Sequence, residues 1–485
     1  MMNEYEVLPN IGNFILSLRD IGYSLNTAIA DIIDNSITAF AKNIKIYATE
    51  DPLTICVLDD GIGMSSSTLL EALRLGAKSP TMERPSSDLG RFGLGLKTAS
   101  FSQCKQLTVF SKEAGTCCGY TWDLDYIQEQ NKWLLKDANI DNYKNAEWYS
   151  LFSQQDSGTI VLWEKIDRLN EDDFTELLTG VYDHLALVFH RFIEGDIRNH
   201  KINIELNNRT IKPFNPFFPN NSFTQIKITE TQFINGEKIT ITPYILPHHS
   251  KVSQKDYDLY ATKDGYQKSQ GFYLYREGRL LIWGTWFGLH KQCEAHKLVR
   301  IKIDINNKID DLWKIDVKKS VASPAPQIKT CLKRIIREFT EQGFRVYQQR
   351  GTIVNKREHI AQFWDVKHSN GQIKYVLNKA HPSYIVLKNS LDEQSFDLLE
   401  NYLQFVEEYI PIDSIVAKMM DNPKEIKQRD LEITQQDIVD FIKQLQAIDI
   451  ADDDIFTTLK NIEAYKDYVE FIKEYIYRDT TNEKF

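Results

Sequence analysis

The chain has 485 residues, enough for two to four domains at about 150 residues each. Hydrophobic residues make up 42% and charged residues 26%, the balance of a soluble globular protein, and 58 Lys+Arg against 68 Asp+Glu leave a net charge of −10. That excludes a protein that coats nucleic acid through general positive charge, though not one with a local basic groove. Six cysteines (Cys56, Cys104, Cys117, Cys118, Cys293 and Cys331) are scattered without a CxxC pair. This argues against zinc knuckles and disulfide frameworks and fits a reducing compartment. The acidic start, Met1-Met2-Asn3-Glu4, has no basic n-region, and no uncharged apolar run approaches ~18 residues. A cytoplasmic protein without membrane contact is expected.

Three zones follow in chain order. Residues 20–41 read as a helix, because Leu25, Ala28, Ile29, Ile32, Ile33, Ser36 and Ala39 recur at helical spacing. Strands are expected over Asn43–Thr49 and Leu53–Leu58, joined by Glu50-Asp51-Pro52, then a helix over Ser65–Leu75. Residues 76–92 are rich in Gly, Pro and Ser and predict a mobile loop; Gly93–Gln103 resumes a helix. Leu107–Ser111, Gly119–Asp123 and Thr159–Trp163 are further strands. The second zone opens with two hairpin signals, turning at Asn207-Asn208 and Asn235-Gly236. Strands at Phe272–Tyr275, Arg279–Ile282 and Val299–Ile305 precede an amphipathic helix, Ile328–Phe344. The third zone, 351–485, is mostly helical in pattern.

The chemistry concentrates in residues 31–97. In Asp31-Ile32-Ile33-Asp34-Asn35, residues four apart share a helical face, so Asp31 and Asn35 point into one cavity. The Asn35 amide oxygen suits a hard cation such as Mg²⁺, and Asp31 suits orienting a water. At the end of a strand, Leu58-Asp59-Asp60-Gly61-Ile62-Gly63-Met64 offers a carboxylate to an exocyclic amine such as adenine's, with glycines that let backbone approach a ring. Gly90-Arg91-Phe92-Gly93-Leu94-Gly95-Leu96-Lys97-Thr98 leads into a helix, whose N-terminal N–H groups suit phosphates. The order is GxxGxG, so the Rossmann GxGxxG reading fails. Leu96 between the last glycine and Lys97 also defeats a Walker A loop, since one extra residue turns the lysine by ~100°.

In this order and spacing the three pieces resemble the GHKL (Bergerat-fold) ATPases: gyrase B, heat-shock chaperones of that class, histidine kinases, MutL and MORC. The resemblance implies ATP and Mg²⁺ as ligands, with Asp31 in the place of the general base and Asn35 holding the metal. It puts Asp59, Gly61, Gly63 and Met64 at adenine. Gly90, Gly93, Gly95, Leu96 and Lys97 fall on the triphosphate lid, and Gly158-Thr159 on the family's late Gly-Thr strand. A histidine kinase needs a phosphoacceptor upstream of the Asn helix, but the first histidine is His184. The Gly93-Leu94-Gly95-Leu96-Lys97-Thr98 run looks more like the MORC pattern than the MutL run or the chaperones' GQFGVGF, although the MORC zinc modules are missing. A prokaryotic MORC-like protein is the best match, and such relatives are associated with restriction and anti-phage systems.

The resemblance covers about 20–165 most specifically and implies an α+β chain. An N-terminal GHKL α/β sandwich spans 1–200, an S5-like α/β transducer 201–350, and a mostly helical partner- or substrate-binding region 351–485. The transducer of split GHKL proteins sends a lysine to the γ-phosphate; Lys319, then Lys318, in Trp313-Lys314-Ile315-Asp316-Val317-Lys318-Lys319 is the candidate. One departure stands out: the family's base is Glu, and Asp31 is shorter by one carbon–carbon bond, ~1.5 Å. Slow hydrolysis is expected, with a clamp of negligible turnover as the rival. Dimerisation on ATP binding is expected, with Phe14, Ile15, Leu16 and Leu18 in an exchanged arm by analogy. Residues 324–360 carry net charge +5 and 401–460 net −7. This asymmetry makes DNA a candidate partner, against acidic neighbours within the chain or a partner protein; the resemblance implies a nuclease or helicase from the same system, against a chaperone-like role in protein remodelling.

Overall fold

The computed structural model describes residues 5, 10–76, 89–90, 95–169, 174–197, 201–316, 319, 321–348, 362–369, 372–421, 433–447 and 450–478. Arg91, Phe92, Gly93, Leu94, Lys318 and nearly all of the expected 76–92 loop lie outside them. The chain divides into two compact units, Met1–Tyr347 and Gln348–Phe485.

Helices α1 (Ile11–Arg19) and α2 (Leu25–Thr38) open the first unit, each started by a polar cap: Asn10 accepts from the Asn13 N–H and Ser24 from the Thr27 N–H. Helix α2 is shorter than the apolar period foretells. Gly22 before it and Phe40 after it both have positive φ, which a right-handed helix does not admit. Strands β1 (Asn43–Glu50) and β2 (Leu53–Asp59) form a tight antiparallel pair, followed by α3 (Ser66–Leu73) and α4 (Gly95–Gln103). Strands β3 (Cys104–Glu113) and β4 (Thr116–Asp123), α5 (Leu124–Gln130), β5 (Lys136–Asp137), α6 (Tyr149–Gln154) and β6 (Gly158–Ile166) continue the layer. After α7 (Phe174–Val188) and α8 (His190–Glu194), β7 (Asn203–Leu206) and β8 (Arg209–Thr210) complete an eight-stranded sheet in the order β5-β4-β3-β6-β2-β1-β7-β8. The sheet thus continues past residue 200, because β7 pairs parallel with β1.

Side-chain alternation gives this sheet two different faces. Ile44, Ile46, Ile55, Val57, Val161 and Trp163 point into the main core with Ile29, Ile33 and Phe101 of the helices. Tyr47, Cys56, Leu58, Ile160 and Leu162 point the other way and are covered by Trp148 and Phe152 at α6.

The second sheet is built from β9 (Gln225–Ile226), β10 (Glu230–Ile234), β11 (Glu237–Ile245), β12 (Gly271–Arg276), β13 (Arg279–Thr285) and β14 (Val299–Ile305). Its order is β10-β11-β14-β12-β13, with β9 beside β11. The Asn-Asn and Asn-Gly hairpins are both present, and all four turn residues have positive φ, as a type I′ turn requires. Helices α9 (Gln254–Ala261), α10 (Gly265–Lys268) and α11 (Asp310–Trp313) lie in the connections. Helix α12 (Pro326–Gln348) lays Ile328, Leu332, Ile335 and Phe339 on Ile239, Ile241, Ile301 and Trp313, the helical period doing what its spacing foretold.

The second unit has a hairpin, β15 (Trp364–Ser369) with β16 (Gln372–Leu377), which the helical reading of this zone missed. Helices α13 (Pro382–Ser390), α14 (Glu393–Glu408), α15 (Ile412–Asp421), α16 (Gln435–Ala447), α17 (Asp452–Lys460) and α18 (Val469–Arg478) follow. Ile438, Ile442, Leu445, Ile455, Leu459, Ile472 and Ile476 form its core. Among the described residues no helix is long and apolar enough to cross a membrane.

Candidate active site

Asp59 ends β2 in the middle of the first sheet, and its carboxylate is buried. Ser36 Oγ donates to Oδ2 at 2.7 Å, while the Gly61 and Thr159 N–H groups donate to Oδ1 at 2.9 and 3.2 Å. A carboxylate has about four acceptor positions, so one remains on Oδ2 for a donor from outside. Burial pushes the Asp59 carboxyl up to about 6, against the pull of these three donors. Neighbouring Asp60 serves the backbone instead. It accepts from the Lys42 and Asn43 N–H groups and the Asn43 side chain, and so staples the turn to β1. Gly63 has φ of +70°, and a Cβ there would lie 1.8 Å from the Lys112 carbonyl oxygen. The turn closes on β3 only because that residue has no side chain.

One turn of α2 supplies the acids. Asp31 and Asp34 are both buried, whereas Asn35 is exposed and its carboxamide makes no hydrogen bond among the described residues. The Asp31 carboxylate accepts from the Tyr23 hydroxyl at 3.1 Å and from Lys319 Nζ at 3.0 Å. The same ammonium donates to Asp34 Oδ2 at 2.6 Å, and Arg279 Nε donates to Asp34 Oδ1 at 2.9 Å. Two cations brought by the second sheet and the segment after α11 therefore neutralise two acids of the first layer. Burial raises the Asp31 carboxyl above the usual range, with Lys319 pulling the other way. Burial and the charge of Asp31 likewise push the Tyr23 phenol up.

Helix α4 starts against the same acid, since a Cβ on Gly95 would stand 3.4 Å from Asp31 Oδ2. Gly95 and Leu96 open the first turn of this helix, and a helix start of this kind suits an anion. The Lys97 side chain turns elsewhere: its ammonium donates to the Ala72 and Arg74 carbonyls at 2.8 and 3.0 Å, closing the C-terminal end of α3. Met64 and Leu96 pack at the edge of the main core. Gly90 stands next to Leu89, whose carbonyl accepts from Arg276 Nη1 at 3.0 Å; Gly93 and Lys318 lie outside the described residues. Asn35 offers a hard oxygen and the adjacent acids are already paired. The donors therefore fit a Mg²⁺ that takes most of its ligands from phosphates and water.

Residues 23–159 match the family model described as histidine kinase-, DNA gyrase B- and HSP90-like ATPase. Over those residues, under a third of its length, the chain is similar to the GHKL ATPases. A stretch of 94 residues is 34% identical to mouse ATPase MORC2B and 36% identical to human ATPase MORC2, covering 18% of this chain and 9% of each relative. Chaperone protein HtpG of Alkaliphilus oremlandii is 22% identical over 256 residues, which is 50% of this chain and 36% of that protein. The chain therefore matches under a tenth of the length of the MORC relatives. Helix α2 joins two groups of the expected residues: Ser36 meets Asp59 with Gly61 and Thr159, and Asp31 meets Gly95 and Lys319.

Sequence reasoning missed Asp34, Arg279, Tyr23 and Ser36. Asp34 carried a signal: an acid three residues after Asp31 on the buried side of a helix requires a cation. Arg279 carried none, since it follows a Glu277-Gly278 hairpin turn 245 residues away from its partner.

Proposed function

We propose that this protein is an ATP-dependent conformational clamp that binds ATP with Mg²⁺ and hydrolyses it slowly. The observation that carries the reading is the ion pair from Lys319, beyond the second sheet, to Asp31 and Asp34 of α2. Adenine's exocyclic amine donates to the remaining acceptor position of Asp59, and the α4 N-terminus receives the phosphates. Mg²⁺, when bound at Asn35, neutralises phosphate charge.

Lys319 holds the general base in the nucleotide-free state. A γ-phosphate is a stronger attraction for an ammonium than a carboxylate already shared with Tyr23, so ATP draws Lys319 off Asp31. Removing the positive neighbour from a buried carboxylate raises its basicity just when a water must be polarised. The same step moves the segment after α11, and with it the transducer built on the second sheet, so nucleotide state becomes domain position. We assign the ATPase module to residues 1–200 together with β7 and β8, which complete its sheet, the transducer to the rest of 201–350 and a partner-binding module to 351–485. Exposed Leu398, Tyr402, Phe405 and Tyr409, on one stripe of α14 and just beyond it, support the last assignment.

Two protomers pair through their N-terminal regions. In the single chain α1 packs on its own unit through buried Ile15, while Phe14 and Leu16 keep two-fifths of their surface exposed for such a contact. A DNA-linked or anti-phage setting rests on the MORC likeness and on exposed Lys333 and Arg337 of α12; Arg334 is already paired with Glu230. Negligible hydrolysis is the second reading, favoured by the short, ion-paired Asp31; the HtpG likeness favours a third, protein remodelling. The test is steady-state turnover of wild type, Asp31→Asn and Lys319→Met, with and without DNA. DNA-stimulated turnover lost in both variants supports the clamp, and turnover unchanged in Asp31→Asn removes that residue from the base's role.

A further inference from the structure

Between β13 and β14 the connection carries His290, Cys293 and His296, each three residues from the next. His290 Nε2 lies 2.8 Å from His296 Nδ1, and Cys293 Sγ lies 3.0 Å from that same nitrogen; the three ligand atoms all fall within 4.8 Å of one another. A ring nitrogen has either one lone pair or one hydrogen, so hydrogen bonding alone leaves His296 Nδ1 with two partners for one position. A cation among the three would satisfy all of them.

The surroundings hold the group in place. Fully buried Gln270 grips the Cys293 backbone from both sides: its Nε2 donates to the Cys293 carbonyl at 3.0 Å and its Oε1 accepts from the Cys293 N–H at 3.2 Å. The same Oε1 accepts from Trp286 Nε1 at 3.2 Å, and the Trp286 ring meets His290 edge-on with centroids 5.2 Å apart. A 3₁₀ turn, in which the His296 N–H donates to the Cys293 carbonyl at 3.2 Å, sets the two side chains on one side. Glu294, on the same turn, is taken by Lys297.

We propose that His290, Cys293 and His296 form a zinc site that staples the β13–β14 connection. Two imidazoles and a thiolate are the borderline-soft set that zinc selects over Mg²⁺ or Ca²⁺. With bonds of about 2.0–2.3 Å, a tetrahedral zinc spaces its ligands roughly 3.3–3.6 Å apart, so the two close contacts to His296 Nδ1 would open by about half an ångström. On binding, Cys293 gives up its thiol proton to solvent and Sγ forms the metal bond. Water takes the fourth position, since three donors converge among the described residues. Cysteine spacing alone does not reveal such a site, because two of its ligands are histidines. The connection packs through Phe287 on Trp313, six residues before Lys319, so the staple lies behind the segment that enters the nucleotide hollow.

The test is metal binding by the full chain after chelator treatment. Zinc alone is titrated in competition with a chromophoric chelator, and cobalt is substituted for the optical spectrum. Wild type should take one zinc per chain, and its cobalt form should show a thiolate-to-metal charge-transfer band with the strong d–d bands of a four-coordinate ion. Cys293→Ser should lose that band and, like His296→Ala, lose more affinity than the roughly 10–100-fold that an outer-shell partner supplies. A Cys117→Ser/Cys118→Ser variant should keep both. Zinc should also raise the melting temperature of wild type but not of Cys293→Ser, and equal melting of the two without metal shows that the variant folds. A wild-type cobalt form without the thiolate band, or zinc bound equally tightly by Cys293→Ser, overturns the proposal.

Discussion

Asp59 accepts three hydrogen bonds from its own chain and keeps one acceptor position for a ligand, so its protonation state decides what it can hold. The carboxylate accepts from an amine; a proton on Oδ2 turns the position into a donor facing a donor. With its carboxyl pushed up to about 6, ATP affinity should be flat above pH 7 and fall below pH 6 by up to about tenfold per pH unit. Binding isotherms across that range check it. Asp59→Asn, which keeps the shape but presents a donor, should weaken ATP roughly 10–100-fold at pH 7.5, as the loss of a hydrogen bond to a charged group does. Asp31 and Lys319 should divide differently between binding and turnover. Asp31→Asn should leave ATP affinity within a few-fold while turnover falls. Lys319→Met should cost about 10²–10³ in kcat, the scale of losing one charge-stabilising donor. Single-turnover kinetics beside equilibrium binding separates the two.

At the scale of elements, the site is made by close backbone approaches and by buried charge. Gly63→Ala puts a methyl group onto the Lys112 carbonyl at a positive φ, and should cost about 2–4 kcal/mol of stability by urea unfolding, more than strain alone. Arg279→Ala leaves Asp34 in the buried layer with a single cation and should cost about 3–5 kcal/mol, unless Asp34→Asn is added to relieve it. Local signals were legible in the sequence. The apolar period of α2, the Asp-Gly turn after β2, the two Asn-containing hairpins and the apolar stripe of α12 are all set by neighbours within a few residues. The partners of the acids were not legible in the same way. Lys319 meets Asp31 across 288 residues and Arg279 meets Asp34 across 245, and no spacing rule spans a fold. Lys319 was reached through family likeness, and Arg279 was not reached at all. Lys97 shows the opposite limit: a lysine at a helix start reads as a phosphate ligand, yet its ammonium closes α3.

For the whole molecule, the first unit holds two sheets, and Arg279 and Lys319 tie the side of the second to the acids of α2. Arg276 extends the tie, gripping Asp310 while donating to the Leu89 carbonyl at the edge of the glycine segment. ATP that draws Lys319 away should loosen one tie. Size-exclusion with light scattering should show a shift from one protomer to two with a non-hydrolysable ATP analogue, and no shift for Lys319→Met. The most direct measurement lies upstream of all this: isothermal titration of wild type and Asp59→Ala with ATP and Mg²⁺. One site per chain is expected in wild type and none in the variant. Absence of heat in wild type, or equal affinity in both, would contradict the purine seat at Asp59 on which the clamp depends.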